Sequence, residues 1–147
     1  MSNKTVDGRI GYELKRVQHA LRLKMDVGLR DAGLTTPQYA ALSVLDDSPG
    51  LSGAALARRC FVTPQTMNQI LANLESDGLV ERRDHPEHGR VLQAFLTKRG
   101  AKSLVKAHRT VDEIEEQMLD GLGNKKRARF LDALLSCTKS LESRKPE

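Results

Sequence analysis

The chain has 147 residues with 24 Lys and Arg against 19 Asp and Glu, a formal charge of +5. That length suits a single domain (1–147) with a proper core, and the basic balance favours a polyanionic partner. No apolar run approaches the ~18 residues of a membrane span, the polar start Met1-Ser2-Asn3-Lys4-Thr5 is no signal peptide, and Cys60 and Cys137 make no Cys-x-x-Cys pair, so a soluble, cytoplasmic protein without membrane, disulfide framework or zinc site is expected.

Residues 9–31 read as one long helix. Ile10, Leu14, Val17, Leu21 and Met25 form one apolar stripe, while Tyr12, Leu23 and Val27 lie on the far side with Arg16 and His19 among them. A helix apolar on both sides is expected to sit between two partners, its own domain and a second subunit. Asp31-Ala32-Gly33 ends it. Thr36 and Pro37 then open a second helix as N-cap and first-turn proline, with Tyr39, Leu42 and Leu45 inward and a break at residues 46–50. Ser52 caps a short third helix, with Gly53, Leu56, Ala57 and Cys60 inside and Arg58 and Arg59 outside.

Only Phe61 and Val62 separate that helix from the next, Thr63 to Gly78. Thr63 suits the N-cap, Pro64 the first helical position, and Gly78 the left-handed residue that closes a helix. Met67, Ile70, Leu71 and Leu74 share one face. Gln65, Thr66, Asn68, Gln69, Asn73 and Ser76 occupy the other, and no residue from Thr63 to Leu74 is charged. A merely solvated face is usually built from Lys and Glu, the stronger helix formers. Amides and hydroxyls are instead what reads base edges: Gln or Asn bonds adenine bidentately, and a Thr methyl meets a thymine methyl. A short helix, a tight connection and a second helix with a polar outer face form the helix-turn-helix pattern. With no Trp, two Tyr and three Phe, stacking of unpaired bases is disfavoured, which leaves duplex.

After Gly78 the period changes. Residues 79–83 and 91–96 read as two strands, joined by the polar loop Asp84-His85-Pro86-Glu87-His88-Gly89-Arg90, too long for a tight hairpin turn. An exposed hairpin directly after a recognition helix is a wing, and Arg82, Arg83 and Arg90 are placed to reach phosphate or a minor groove. Thr97 caps a long helix from Lys98 to about Asp120, where Leu104, Ala107, Val111, Ile114 and Met118 step like a coiled-coil seam. Gly121-Leu122-Gly123 interrupts, and Asn124 caps a last helix carrying Phe130, Leu134, Cys137 and Leu141. The two ends of the chain hold more apolar stripe than one winged lobe can cover, so residues 9–31 and 98–143 are expected to form a dimerisation region around a lobe at 35–97.

This order of elements resembles the MarR (multiple antibiotic resistance regulator) family. The most specific stretch is Leu74-Glu75-Ser76-Asp77-Gly78-Leu79-Val80-Glu81-Arg82-Arg83, followed by Pro86-Glu87 in the wing and the closing Leu96-Thr97-Lys98-Arg99-Gly100. The resemblance implies a mainly α, α+β winged helix-turn-helix homodimer on a pseudo-palindromic double-stranded operator, a regulator expected to act as a repressor. It also implies release by a small, often aromatic and anionic, effector bound between the dimer helices and the reading lobe. One departure stands out. The family's wing carries Asp-x-Arg, and here the matching run is His88-Gly89-Arg90: the arginine survives, without the carboxylate that would steady it.

On this reading Thr63, Gln65, Thr66, Asn68 and Gln69, with Arg58, Arg82, His88 and Arg90, contact DNA. Tyr12, Arg16, His19 and Tyr39 are candidates for the effector pocket. Cys60 and Cys137 fall on apolar stripes and read as small core residues, and His108 as structural. Four scattered His give no ligand spacing and no nucleophile–base pair, so neither enzyme, metal nor cofactor is expected. The basic run Lys125-Lys126-Arg127 is unfavourable at the positive end of a helix and has no physical account beyond an exposed surface or a phosphate contact. The alternative is a winged-helix module that binds proteins through the same polar face.

Overall fold

The computed structural model describes residues 6–143, so the polar start lies outside the described residues. In chain order the elements are α1 (Ile10–Gly28), a 3-10 turn (Leu29–Ala32), α2 (Thr36–Asp47), β1 (Leu51–Ser52), α3 (Gly53–Arg59), α4 (Pro64–Ser76), β2 (Val80–Asp84), β3 (Leu92–Leu96), α5 (Lys98–Met118) and α6 (Asn124–Glu142). The chain divides into two compact units, one reaching Ile114 and the other beginning at Glu115. The boundary therefore falls inside α5 and not at its start, because Leu104, Ala107 and Val111 are buried with the winged lobe.

Helix starts follow side chains that receive the first free amides. Thr63 accepts from Thr66 N at 3.1 Å, Ser52 from Ala55 N at 3.2 Å and Thr97 from Gly100 N at 3.0 Å, each as expected. The cap of α2 is Thr35 rather than Thr36. Its hydroxyl accepts from Gln38 N at 3.2 Å while Gln38 Oε1 accepts from Thr35 N at 3.0 Å, a reciprocal capping box. Thr36 instead donates to Asp26 Oδ1 on α1 at 2.5 Å. The last helix is preceded by Gly123 in the cap position, so Asn124 lies inside the first turn and does not cap it. Gly33 and Gly78 close their helices at φ +71° and +73°.

Three antiparallel strands lie in the order β1-β3-β2. The hairpin pairs Val80 with Leu96 and Asp84 with Leu92. Strand β1 has no sequence signature at two residues; its pairing, Leu51 with Ala94 and Ser52 with Gln93, ties the start of α3 to the wing. The core of the first unit gathers Leu42 and Leu45 of α2, Leu56 of α3, Met67, Leu71 and Leu74 of α4, Ala94 of β3 and Leu104 of α5. Each large apolar side chain so buried contributes about 1.5–3 kcal/mol.

The double-sided burial expected of the first helix is not met within one chain. No α1 residue is buried, and Ile10, Leu14, Val17, Leu23 and Val27 are exposed, because none of the described residues covers them. In α6 likewise no residue is buried, and Phe130, Leu131, Leu134, Leu135 and Leu141 stand exposed. Cys137, expected in a core, is exposed on the same helix, and Cys60 is half-buried.

The second unit supplies the account missing for Arg127. Its guanidinium holds both carboxylate oxygens of Glu116 at 2.8 and 2.9 Å and donates to the Leu122 and Leu119 carbonyls at 2.9 and 3.4 Å. It caps the end of α5 from the start of α6, and Glu116 offsets the unfavourable charge there.

Candidate nucleic-acid interface

The buried face of α4 fixes which side chains point outward. With Met67, Leu71 and Leu74 buried, Gln65, Thr66, Asn68, Gln69 and Asn73 are exposed. Gln69 Nε2 donates to Asn73 Oδ1 at 3.2 Å, and the Thr63 and Thr66 hydroxyls lie 3.0 Å apart. Asn68 leans toward α3: its Oδ1 would be 3.2 Å from a Cβ placed on Gly53. Arg58 is exposed on the last turn of α3, whereas Arg59 is held by Ser48 Oγ at 2.7 Å and Asp47 Oδ2 at 3.2 Å. The hydroxyl of Ser48, then Arg59, keep the Asp47 carboxyl below its ordinary range.

The connection between α3 and α4 bends through Phe61, whose φ is +58° and whose side chain is 95% exposed. A left-handed conformation costs a side-chain-bearing residue about 1–2 kcal/mol relative to the ordinary helical one.

Three wing arginines do different things. Arg82 reaches back to Glu75 Oε1 on α4 at 3.4 Å and is largely covered, so it braces the hairpin against the polar helix. Arg83 pairs with Glu81 and lies over the Phe95 ring, 4.5 Å from its centroid. Arg90 and His88 are exposed at the tip. Two hydrogen bonds shape that tip: His85 N donates to Val91 O at 2.9 Å, and Val91 N donates to His88 O at 2.8 Å. Gly89 and Arg90 are the central residues of the resulting four-residue turn. Gly89 has no positive φ and open space around it, so the turn does not depend on a glycine.

The four effector candidates are not gathered around one cavity. Arg16 pairs with Glu13 on its own helix at 3.1 Å, Tyr12 and His19 are exposed, and Tyr39 Oη bonds His108 Nδ1 of α5 at 2.8 Å. The cavity between α1, α2, the α3–α4 connection and the middle of α4 holds about 190 Å³ and lies one step round the helix. Gln18, Arg22 and Met25 line it from α1, Thr36, Pro37 and Ala40 from α2, and Cys60, Val62 and Ile70 from beyond. Arg22 Nε holds Asp26 Oδ1 at 2.9 Å, and the Thr36 hydroxyl, followed by Arg22, keeps the Asp26 carboxyl low. Burial raises the Cys60 thiol above its ordinary range. The sequence signals for this cavity were the Arg22–Asp26 spacing of one helical turn and the Thr-Pro start of α2.

A helix-turn-helix backed by a short sheet, with an exposed hairpin beside a polar helix, defines the winged-helix class. The sequence model of the MarR family matches residues 32–91. Over 113 residues the chain is 42% identical to the HTH-type transcriptional repressor Rv2887 of Mycobacterium tuberculosis, which spans 77% of this chain and 81% of that protein. The structure of Rv2887 with salicylic acid is similar at a TM-score of 0.75 and 36% identity, covering 93% of this chain and 99% of the other. That of Rv2887 with DNA gives 0.75 and 36%, covering 89% and 98%. The chain belongs to the MarR family.

Proposed function

We propose that this chain is a dimeric transcription regulator, acting as a repressor, that reads a pseudo-palindromic duplex through α4 and the wing and releases it when a small aromatic acid binds. The observation that carries the reading is the exposed face of α4, without a charged residue from Thr63 to Leu74, fixed in direction by the burial of Met67, Leu71 and Leu74 on the opposite face. The complex of the relative Rv2887 with DNA supports it. Gln65, Thr66 and Gln69 read bases, Thr63 and Asn68 flank them, Arg58 meets phosphate, Arg90 and His88 meet the duplex from the wing, and Arg82 holds the wing in place.

A second copy covers the exposed stripe of α1 and, separately, that of α6. Two-fold symmetry then sets half-sites about one duplex turn, roughly 34 Å, apart. The effector enters the cavity beside Gln18 and Arg22, where a guanidinium meets a carboxylate and Met25, Val62 and Ile70 meet a ring. Salicylic acid bound to Rv2887 supports that ligand class. A single-ring acid fits about 190 Å³.

Selection of DNA from a random pool with the purified full chain tests the reading. Enrichment of one inverted repeat, bound with a steep inverse salt dependence, is expected. No enriched sequence, or salt-independent binding, would refute it. Salicylate should lower affinity for the selected site and slow alkylation of Cys60, which lines the cavity.

A further inference from the structure

Pro86 has no amide to donate, so the first backbone donors after His85 are Glu87 N and His88 N. Both point at one atom. Glu87 N donates to His85 Nδ1 at 3.0 Å, and His88 N donates to the same nitrogen at 3.2 Å. The His88 ring closes over the arrangement, its centroid 4.9 Å from that of His85 at an angle of 39°. An aspartate or asparagine before a proline makes the same kind of turn by accepting from backbone amides further along the chain. Here an imidazole does it. An Nδ1 that accepts two amides carries no hydrogen of its own, which leaves Nε2 as the ring's donor position.

The turn held by His85 runs directly into the one that carries Arg90. His88 is the last residue of the first turn and the first of the second, since its carbonyl accepts from Val91 N at 2.8 Å. His85 also closes the loop through its own amide, which donates to Val91 O at 2.9 Å. The path from strand β2 to Arg90 is thus fixed at two amides by one side chain.

We propose that His85 is the positioning residue of the wing: its Nδ1 accepts the Glu87 and His88 amides and thereby sets the direction in which Arg90 meets duplex DNA. This rests on the wing contact proposed above. The gain is one of pre-organisation, because an arginine on a loop already in its bound shape loses less freedom when it docks. It also explains how the wing keeps its shape with His88 where the family's pattern has a carboxylate.

The atom that matters is specific, so three substitutions separate positioning from bulk. In His85→Asn the side-chain oxygen lies as far along the chain as Nδ1 and can accept both amides. In His85→Gln the oxygen lies one bond further out, near where Nε2 was, and in His85→Ala there is no acceptor. Full-length variants are titrated with the selected duplex beside Arg90→Ala as the control for the wing itself. His85→Gln and His85→Ala should weaken binding about three- to tenfold with the melting temperature unchanged, since the loop is exposed and its amides can be hydrated. His85→Asn should bind within about twofold of the parent. Hydrogen exchange without DNA should show the Glu87 and His88 amides faster in His85→Gln and parent-like in His85→Asn. A loss from Arg90→Ala with none from His85→Gln would overturn the positioning and leave the wing contact standing. Equal losses from His85→Asn and His85→Gln would also overturn it. Parent-like binding by Arg90→Ala would remove the wing contact, and this proposal with it.

Discussion

Replacing Gly100 with alanine puts the junction of wing and long helix to a quantitative test. On an exposed helix the change would stabilise by about 1 kcal/mol, because alanine is the better helix former. At Gly100 a Cβ would lie 2.0 Å from the Leu79 carbonyl oxygen and 2.9 Å from its carbon, both backbone atoms. Ordinary contact begins near 3.4 Å, so α5 and the start of β2 must separate by more than 1 Å. Such a shift breaks the bond from Thr97 N to Leu79 O at 3.1 Å and strains that from the Thr97 hydroxyl to Gly78 O at 2.7 Å. Overpacking costs about 1–3 kcal/mol and the two hydrogen bonds about 1 kcal/mol each. After the helix-propensity gain, a net loss of about 2–4 kcal/mol remains, a fall in Tm of roughly 5–15 °C for a chain of this size. Calorimetry on parent and variant reads it directly. Gly28→Ala is the comparison: its Cβ would meet side chains and no backbone, Thr110 Cγ2 at 2.8 Å and Ile114 Cδ1 at 3.2 Å, so it should cost less than Gly100→Ala. A Gly100→Ala protein melting at or above the parent would refute the close approach of Leu79.

Gln69→Ala should cost about 1–3 kcal/mol on the selected site and much less on random duplex, as competition titrations would show; equal losses would mean a backbone contact only. A charge at Leu134 or Leu14 should give monomers or aggregates with poor operator binding, and sedimentation of the native chain as a stable monomer at micromolar concentration would defeat the dimer. Phe61→Gly should raise stability by about 0.5–1 kcal/mol, since relief of backbone strain exceeds the glycine's entropic cost and the ring is exposed; a large fall would show that the ring is covered in the assembled protein. Asp26 is bonded as a carboxylate with its pKa lowered, so its stabilisation is present above about pH 4 and lost as pH falls through the lowered value. Melting temperatures of Asp26→Asn should therefore approach those of the parent in acid and lie below them near neutrality.

The reading lobe was legible because its signals are local. Thr63, Pro64 and Gly78 mark the ends of α4, and helical spacing separates Met67, Leu71 and Leu74 from the amide face. What escaped depends on distant partners. Strand β1 exists because Ala94 and Gln93 lie beside Leu51 and Ser52, which two residues cannot signal. Thr35 and Thr36 are adjacent and equally suited to cap; Gln38 at the third helical position and Asp26 across the cavity decide between them. The effector candidates on α1, Tyr12, Arg16 and His19, lie about one residue round the helix from Gln18, Arg22 and Met25, which line the cavity, because the faces of α1 look alike until α2 is packed on one of them. Arg127 needed Glu116 from the preceding helix before its charge made sense.

The absence of charge from Thr63 to Leu74 has a consequence for how a single copy would divide its time along a chromosome. Random duplex holds a protein chiefly by phosphate neutralisation, and the stretch of α4 up to Leu74 brings no charged side chain to that hold. On the contacts proposed above, the grip on the wrong sequences is set by residues such as Arg58 and Arg90, and the preference for the right one by Gln65, Thr66 and Gln69. Changes at a phosphate contact such as Arg58 would alter how long each exploratory visit lasts and leave the ranking of sites untouched. Changes in the second group would alter the ranking at constant visit length. Search speed and target choice are thus open to separate adjustment in this chain.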